Sequence, residues 1–395
     1  MKHLKRKIIR FFLGLLGTTD SIVFESNPDL SCNSYAVYRY MMDKGVNKKF
    51  KMIWLVRDVQ KNNDVQEYNV HFIPKYPRSV AERIKHYVVC FRAKVSVSCN
   101  LPLPRYKVNK KQLNLYLDHG SPLKDMLPSN GNKKHSIDCG YYVSQAPFFH
   151  KYILDTYDIS EDQIVCLGVP RNDQLYCRYD SIRKLVTEVS PFKKAIIWVP
   201  TFRSAEGGKR KDSSFEFPIG LPIVYSMEQL AQLNDFLNTK DVLLIIKPHP
   251  AQDLNIYNDF SFTNILFLTN EQMIKNGIQT NELLAQTDAM ITDYSGIYYD
   301  YLLLNRPIAI TLDDYKEYKQ ETGFVFDNLF DILKGEYVYG YNDLISFIDK
   351  VASGQDDHID ERKQIKQLVN KYDDACSSKR VYDFISDKLG WDKKE

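Results

Sequence analysis

Short apolar runs alternate with helix-length segments along most of this chain, and that alternation limits its fold more than any other feature. Apolar runs of this length, bounded by polar segments, are typical of strands. Since helical patterns separate most of them, we expect parallel strands in a doubly wound α/β arrangement. The predicted strands are 21–26, 51–56, 94–99, 113–120, 141–145, 163–168, 195–202, 242–250, 264–269, 289–296 and 307–312, and the predicted helices include 34–45, 78–92, 227–238, 281–287 and 361–389.

The length of the chain indicates two domains of this kind. Its 395 residues are more than one ordinary core holds. The pattern changes near residues 178–194, a charged stretch that contains Pro191. We therefore expect two Rossmann-like domains, 18–185 and 186–395, with a ligand in the cleft between them at the carboxyl ends of the strands.

Composition and missing motifs argue against several classes of function. The net charge is only +3, so general binding of nucleic acid is not indicated. The chain has no GxGxxG and no GxxxxGK[ST], which argues against a dinucleotide-dependent redox enzyme and a P-loop NTPase. Its seven cysteines are scattered and form no CxxC pair, as in a reduced cytosolic protein.

The first 17 residues differ from the rest because they are basic and amphipathic. Five lysines and arginines share "MKHLKRKIIRFFLGLLG" with leucine, isoleucine and phenylalanine at helical spacing. This predicts a helix over 1–17 that lies on an anionic membrane surface, because the apolar run is too short to span a bilayer. A helix packed on the first domain and a cleaved signal peptide are the alternatives.

Polar residues cluster at the predicted carboxyl end of the strand 113–120. Gly120 permits close approach of the backbone to a ligand, and Ser121-Pro122 would suit the start of a helix whose free N–H groups bind phosphate. His119 would lie beside that phosphate, placed for proton transfer. A turn histidine without a catalytic role is the alternative.

Two further strand ends carry arginine. Arg171 follows the strand 163–168, and its planar guanidinium fits phosphate oxygens, although this segment alone favours pairing with a nearby carboxylate. Thr201 and Arg203 follow the strand 195–202, where a hydroxyl and a positive charge could bind a phosphate or a sugar hydroxyl.

The strand 242–250 ends in "KPHP". Lys247 and His249 are two residues apart, so both point to the same side if the strand continues. The prolines restrict the backbone and reduce the entropy lost when such a site is ordered. The motif therefore indicates an anion site.

The strand 289–296 ends in "TDYSG" and a helix follows. Ser295 and Gly296 would offer a cap and bare N–H groups to a diphosphate. Asp300, one helical turn further, would face the same region and accept hydrogen bonds from a hydroxyl-bearing substrate. Asp293 is either part of this site or a structural acid.

Together these segments resemble the CDP-glycerol glycerophosphotransferase family, whose members prime and polymerise teichoic acids. The matching motifs, in the family's order, are "HGSPLK" (119–124), "GVPRND" (168–173), "VPTFR" (199–203), "KPHP" (247–250) and "ITDYSGIYYDYLLLNRPI" (291–308). The resemblance implies a GT-B-type fold and transfer of a polyol phosphate, glycerol phosphate above all, from a CDP-polyol to a hydroxyl, with release of CMP. It implies no metal and no cofactor.

The resemblance also assigns roles to residues of this chain. His119 matches the base that activates the acceptor hydroxyl, and His249 matches a second histidine beside the transferred phosphate. The expected substrate-binding residues are Gly120, Ser121, Pro122, Leu123, Arg171, Thr201, Phe202, Arg203, Lys247, Pro248, Asp293, Ser295, Gly296 and Asp300.

The implied partners follow from the same resemblance. Domain 18–185 would face the acceptor, a lipid-linked or polymeric glycan of teichoic-acid or capsular type, and domain 186–395, with its C-terminal helix, would bind the CDP-polyol. The protein would be cytoplasmic and peripheral on the inner face of the membrane. Alternatives are a GT-B glycosyltransferase that uses a nucleotide sugar and a non-catalytic glycan-binding relative.

Three positions depart from the family pattern. Gly296 stands where a second serine is usual, Pro248 where leucine is common, and Asp118 where an aromatic residue often precedes the histidine. These departures leave the identity of the polyol open.

Overall fold

The computed structural model describes most of the chain. The described residues are 17–62, 66–100, 112–125, 134–135, 137, 139–186, 191–201, 203, 213, 215–248, 255–257 and 260–391. The amphipathic helix predicted over 1–17 lies outside the described residues except for Gly17, and so do Phe202 and His249.

The described strands and helices alternate along most of the chain. The strands are β1 (Thr19–Glu25), β2 (Lys51–Val56), β3 (Val70–Pro74), β4 (Ala93–Ser98), β5 (Leu113–Tyr116), β6 (Tyr141–Ser144), β7 (Ile164–Cys166), β8 (Lys194–Val199), β9 (Val242–Ile246), β10 (Ile265–Phe267), β11 (Ala289–Thr292), β12 (Ile308–Thr311) and β13 (Glu336–Val338). The helices are α1 (Cys32–Asp43), α2 (Val80–Arg92), α3 (His150–Thr156), α4 (Ser181–Leu185), α5 (Met227–Thr239), α6 (Asn270–Lys275), α7 (Thr280–Ala285), α8 (Ile297–Tyr301), α9 (Tyr315–Glu321), α10 (Tyr341–Ser353), α11 (Ile359–Val369) and α12 (Ser377–Leu389).

The chain divides into two compact units whose boundaries differ from the predicted 18–185 and 186–395. The first unit comprises Met1–Gly120, Leu127–Asp173 and Lys371–Glu395, and the second comprises Ser121–Met126 and Gln174–Asn370. The C-terminal helix α12 therefore belongs to the first unit rather than the second. The reason is its apolar face, since Val381 and Ile385 are fully buried in the core that contains Phe24 and Trp54.

The first unit is built on a seven-stranded sheet in the order β3-β2-β1-β4-β5-β6-β7. Every adjacent pair is parallel. The central strands β1, β2 and β4 are almost wholly buried, which explains their continuous apolar pattern.

The second unit repeats this order in a six-stranded parallel sheet, β10-β9-β8-β11-β12-β13. All five residues of β9 are buried, as its unbroken apolar run predicts. The strand order reverses direction between β1 and β4 in the first sheet and between β8 and β11 in the second. Ligands of such folds bind outside the carboxyl ends of the strands at that point.

The predicted doubly wound α/β class is confirmed, whereas two strands escaped prediction. β3 and β13 are edge strands in which only one residue each is buried. A strand at the edge of a sheet that is only partly buried does not require a continuous apolar run. Its hydrophobic pattern is therefore too weak to predict the strand from the sequence. Over the described residues, no helix combines the length and the apolar character that crossing a membrane requires.

Candidate active site

His119 in the first unit is held by the aspartate that precedes it. β5 ends at Tyr116, and Asp118 adopts a left-handed conformation with φ of 52°. One carboxylate oxygen, Asp118 Oδ1, lies 2.9 Å from His119 Nδ1 and accepts the backbone N–H of His119 at 2.7 Å. The other oxygen accepts the hydroxyl of Tyr142. The His119 side chain is 59% exposed, so an anchored imidazole faces solvent.

The electrostatics of this pair favour the ionised forms of both groups. The hydrogen bond and charge of Asp118 raise the pKa of His119 to about 9, against the opposing effect of burial. Burial disfavours the Asp118 carboxylate, yet the hydrogen bonds from His119 and Tyr142 outweigh it and hold the pKa of Asp118 below its usual value. His119 is thus a base whose conjugate acid is stabilised.

Arg171 approaches the same turn from the first turn of the 3₁₀ helix Pro170–Tyr176. Its guanidinium donates to the carbonyl of His119 and lies 3.2 Å from the Cys32 sulfur, and its backbone N–H donates to Asn33 Oδ1 at 3.1 Å. A Cβ on Gly120 would lie 2.6 Å from Arg171 Nη2, and the φ of 124° at this position also favours glycine. The predicted close approach of a ligand to the backbone at Gly120 stays a prediction.

The helix expected to begin after Gly120 is not present in the described part of that segment, 120–125. Lys124 forms an antiparallel bridge with Phe324, and the Leu123 carbonyl accepts from the backbone N–H of Val325 at 2.9 Å. Leu123 itself is fully buried, so we interpret it as a packing residue rather than a substrate contact. Backbone hydrogen bonds to segment 323–325 thus satisfy N–H and C=O groups of residues 123–125 that a helix would otherwise have paired.

In the second unit, Thr201 and Asp293 meet where the strand order reverses. Thr201 follows β8 and Asp293 follows β11, which are adjacent strands. Asp293 accepts the backbone N–H of Thr201 at 2.9 and 3.0 Å and also its hydroxyl. The polar groups that the sequence placed at this edge are therefore bound to each other.

Arg203 is also part of this network, contrary to the expectation that it is free for a phosphate. Its side chain is 5% exposed and forms ion pairs with Asp293 at 2.9 Å and with Asp314 at 2.5 Å, both fully buried. The rings of Tyr294 and Tyr318 lie 5.3 and 4.8 Å from its guanidinium carbon. We interpret Arg203 and Asp293 as structural, because a buried charge must be paired.

Lys247, at the end of β9, presents a different environment. Its ammonium donates to Asn270 Oδ1 at 3.0 Å, and its backbone N–H donates to the Trp198 carbonyl at 2.8 Å. Burial lowers the pKa of Lys247 to about 8. The next residue, Pro248, is buried. A half-buried cation whose described partner is a neutral amide is suited to binding an anion.

The third predicted cluster of the second unit surrounds the start of α8. A Cβ on Gly296 would lie 2.5 Å from the carbonyl oxygen of Ser121, and the Tyr299 hydroxyl donates to the Pro122 carbonyl at 3.3 Å. A side chain at position 296 would therefore collide with the backbone of Ser121. Ser295 is partly exposed, whereas Asp300 is 1% exposed, and this burial argues against its predicted contact with a substrate hydroxyl.

Several functional candidates were not found from the sequence. Tyr142 and Asn33 are far in sequence from the His119 turn, and only the fold brings them to it. Cys32 is the first residue of α1, and a hydrogen bond from Cys99, with the charge of Arg171, lowers its thiol pKa to about 5. No motif predicts these contacts. Among the described residues, no group of three or more His, Cys, Asp or Glu side chains is arranged to hold a metal ion.

Residues 8–387 match the profile of the family described as CDP-glycerol:poly(glycerophosphate) glycerophosphotransferase. The protein belongs to this family. Membership confirms the predicted resemblance and the predicted class of enzyme, a glycerophosphotransferase. His119, Arg171, Thr201, Lys247 and the other expected site residues lie within the matched range, and their individual roles stay predictions.

Relatives of this glycerophosphotransferase family member are enzymes of teichoic acid synthesis. The teichoic acid glycerol-phosphate transferase of Staphylococcus aureus is 26% identical over 393 residues, 93% of each chain. The teichoic acid glycerol-phosphate primase of Bacillus subtilis is 30% identical over 236 residues, 59% of this chain and 54% of that protein. The teichoic acid poly(glycerol phosphate) polymerase of Staphylococcus epidermidis is 26% identical, and the match covers 95% of this chain but only 51% of that polymerase.

Solved structures share the fold of this family member. The wall teichoic acid polymerase TagF matches with a TM-score of 0.73 and 20% identity over 100% of this chain and 97% of that chain. A UDP-N-acetylglucosamine 2-epimerase matches with a TM-score of 0.52 and 11% identity over 96% and 98%. The predicted GT-B-type architecture is thereby confirmed, and the epimerase shows that the fold alone does not fix the chemistry.

Proposed function

We propose that this protein transfers a polyol phosphate, glycerol phosphate above all, from a CDP-polyol to a hydroxyl group of a membrane-linked glycan, with release of CMP. The acceptor would be of teichoic-acid or capsular type. The observation that carries the proposal is the imidazole of His119, anchored through Nδ1 and exposed to solvent, in a chain that belongs to the glycerophosphotransferase family.

The reaction on this proposal is one displacement at phosphorus. His119 takes the proton of the acceptor hydroxyl while the acceptor oxygen forms a bond to the β-phosphorus of the donor. The bond from that phosphorus to the oxygen of CMP breaks, and CMP leaves with the electron pair. General-base catalysis of this kind contributes about 10² to 10⁴ in rate.

The charge that develops on the phosphate oxygens needs positive partners. Lys247 supplies one, since its ammonium has a neutral amide as its described side-chain partner and burial strengthens its interaction with an anion. Arg171 would supply a second positive partner, since its planar guanidinium can donate two hydrogen bonds to phosphate oxygens. His249, from the family motif, would bind or protonate the phosphate. Fixed positive groups of this kind stabilise a transferring phosphoryl group without reorganisation during the reaction.

A donor screen tests the proposal. Purified protein is incubated with a lipid-linked glycan acceptor and, in separate reactions, CDP-glycerol, CDP-ribitol and nucleotide sugars, and the released nucleotide is measured. We expect CMP release from a CDP-polyol that depends on the acceptor. Release of UDP or GDP from a sugar donor, with none of CMP, would show instead a glycosyltransferase.

We also propose peripheral association with the inner face of the membrane. The basic segment 1–17 supports this, and so does the exposed face of α2 in the first unit. Val80, Ile84 and Tyr87, spaced as one helical face, are 70%, 59% and 39% exposed. Exposed lysine and arginine, Lys85 among them, flank this face. Apolar residues beside basic ones are typical of helices that lie on anionic lipid.

Vesicle sedimentation tests the membrane proposal. We expect binding to vesicles that contain phosphatidylglycerol and weaker binding to neutral phosphatidylcholine vesicles. Deletion of residues 1–17 and, separately, Ile84→Glu should each weaken binding, whereas Ile274→Glu, at a position 66% exposed in the second unit, serves as the control. Equal binding to both kinds of vesicle by all variants would contradict the proposal.

A further inference from the structure

The turn around His119 carries a further inference, which deepens the proposed function and rests on it. We infer that Asp118, held by Tyr142, is a positioning residue that fixes the imidazole of His119 with Nε2 toward the acceptor hydroxyl. Asp118 and His119 together form a hydrogen-bonded dyad.

The carboxylate of Asp118 is fixed at both oxygens. Oδ1 contacts Nδ1 of His119 at 2.9 Å and its backbone N–H at 2.7 Å, while Oδ2 accepts the Tyr142 hydroxyl. The backbone is fixed as well, because Asn33 Nδ2 donates to the Asp118 carbonyl at 2.9 Å. Asp118 adopts φ of 52°, a left-handed conformation that is uncommon for residues other than glycine and recurs at functional sites.

Tyr142 reaches Asp118 because of the strand register. Tyr116 in β5 pairs with Tyr142 in β6, and their rings meet edge to face with centroids 5.5 Å apart. Tyr142 is 4% exposed, and burial together with the charge of Asp118 raises its pKa well above the usual value. Its hydroxyl therefore stays protonated and acts as a donor to the carboxylate.

This arrangement determines which ring nitrogen can act. A carboxylate at Nδ1 favours the tautomer with the proton on that atom, which leaves the lone pair on Nε2. When His119 takes the acceptor's proton at Nε2, the same carboxylate stabilises the imidazolium. The groups whose charges bear on His119 are Asp118 and Cys32, which favour the imidazolium, and Arg171, which opposes it.

The pH dependence of kcat distinguishes positioning from a merely structural role. With saturating CDP-glycerol, CMP release by the wild type should rise with pH as His119 loses its proton. In Asp118→Asn the midpoint of this rise should move to lower pH, toward about 6.5. The limiting rate should also fall at least about 10-fold, because the imidazole is no longer held. KM for the donor should change little.

Tyr142→Phe and Tyr141→Phe form a matched pair for the second part of the inference. They are adjacent in β6, so their side chains point to opposite faces of the sheet, and only Tyr142 contacts Asp118. We expect Tyr142→Phe to lower kcat about 2- to 12-fold, which corresponds to the loss of one hydrogen bond of about 0.5–1.5 kcal/mol. Tyr141→Phe should leave kcat unchanged.

The outcomes separate this inference from the proposed function. If the wild type releases CMP from no CDP-polyol, the proposed function fails. If the wild type is active and Asp118→Asn keeps both its midpoint and its rate, the inference fails alone. Should Asp118→Asn not fold, an NMR titration of His119 in the wild type replaces it: a pKa well above 6.5 supports the dyad, and one at or below 6.5 overturns it.

Discussion

Replacement of Arg203 by methionine discriminates between its two readings, a phosphate contact and a structural ion. The guanidinium is 5% exposed and bridges two carboxylates, Asp293 and Asp314, that are fully buried. Methionine fills a similar volume and removes the charge, so both carboxylates lose their described cationic partner. Breaking a buried pair in this way costs about 3–5 kcal/mol of unfolding free energy.

The expected loss is large enough to see in a thermal melt. For a unit of this size, each kcal/mol lowers Tm by about 2–4 °C, so Arg203→Met should lower it by roughly 6–20 °C. Arg183→Met is the matched control, because Arg183 is 84% exposed and pairs with an exposed Asp180 at 3.4 Å. Exposed pairs contribute only about 0–1 kcal/mol.

A companion variant and the kinetics complete the test. Adding Asp293→Asn and Asp314→Asn to Arg203→Met should recover part of the stability, because neutral amides leave no buried charge. The structural reading is refuted if the unfolding free energy of Arg203→Met lies within about 1 kcal/mol of the wild-type value while KM for CDP-glycerol rises at least 10-fold. Arg203 would then bind the donor.

Three other predictions follow from close contacts and shifted pKa values. Gly296→Ala should destabilise the second unit by about 1–3 kcal/mol, because its Cβ would meet the Ser121 carbonyl at 2.5 Å. Gly340→Ala, also at a helix N-cap but with open space around the new Cβ, should cost less than about 1 kcal/mol in the same melt. KM for CDP-glycerol should rise above about pH 8, where Lys247 loses its charge. Asn270→Asp should raise the pKa of Lys247 and so move this rise in KM to higher pH. If the pH dependence of KM is the same in Asn270→Asp and the wild type, Lys247 does not bind the donor. Alkylation of Cys32 by iodoacetamide should be about as fast at pH 6 as at pH 8, since its thiol pKa is about 5, while Cys90, which is 2% exposed, should not react. A rate of Cys32 labelling that falls steeply from pH 8 to pH 6 would show that its pKa is not lowered.

The fold was largely predictable because both sheets are parallel. A strand buried on both faces must be apolar throughout, so β2, β8 and β9 stand out in the sequence. The short edge strands β3 and β13 face solvent in part and were missed. The boundaries of the units were also misplaced, since α12 packs on a sheet that is distant in sequence.

The sequence indicates which residue types lie at the candidate site, but it does not indicate their hydrogen-bond and ion-pair partners. The sequence placed His119, Arg171 and Lys247 at strand ends, and the structure gives each an environment suited to charge. It could not show that Arg203 and Asp293 neutralise each other, because two residues 90 apart reveal no contact in one sequence. Asp118 was noted only as a departure from the family, and its hydrogen bonds give that departure a role.

Acceptor-dependent release of CMP from CDP-glycerol, compared between the wild type and His119→Ala, tests the central claim most directly. The proposal predicts release by the wild type and a loss of about 10²-fold or more in the variant, with its melting temperature unchanged. CMP release by a folded His119→Ala variant at the wild-type rate would contradict the proposal that His119 is the base.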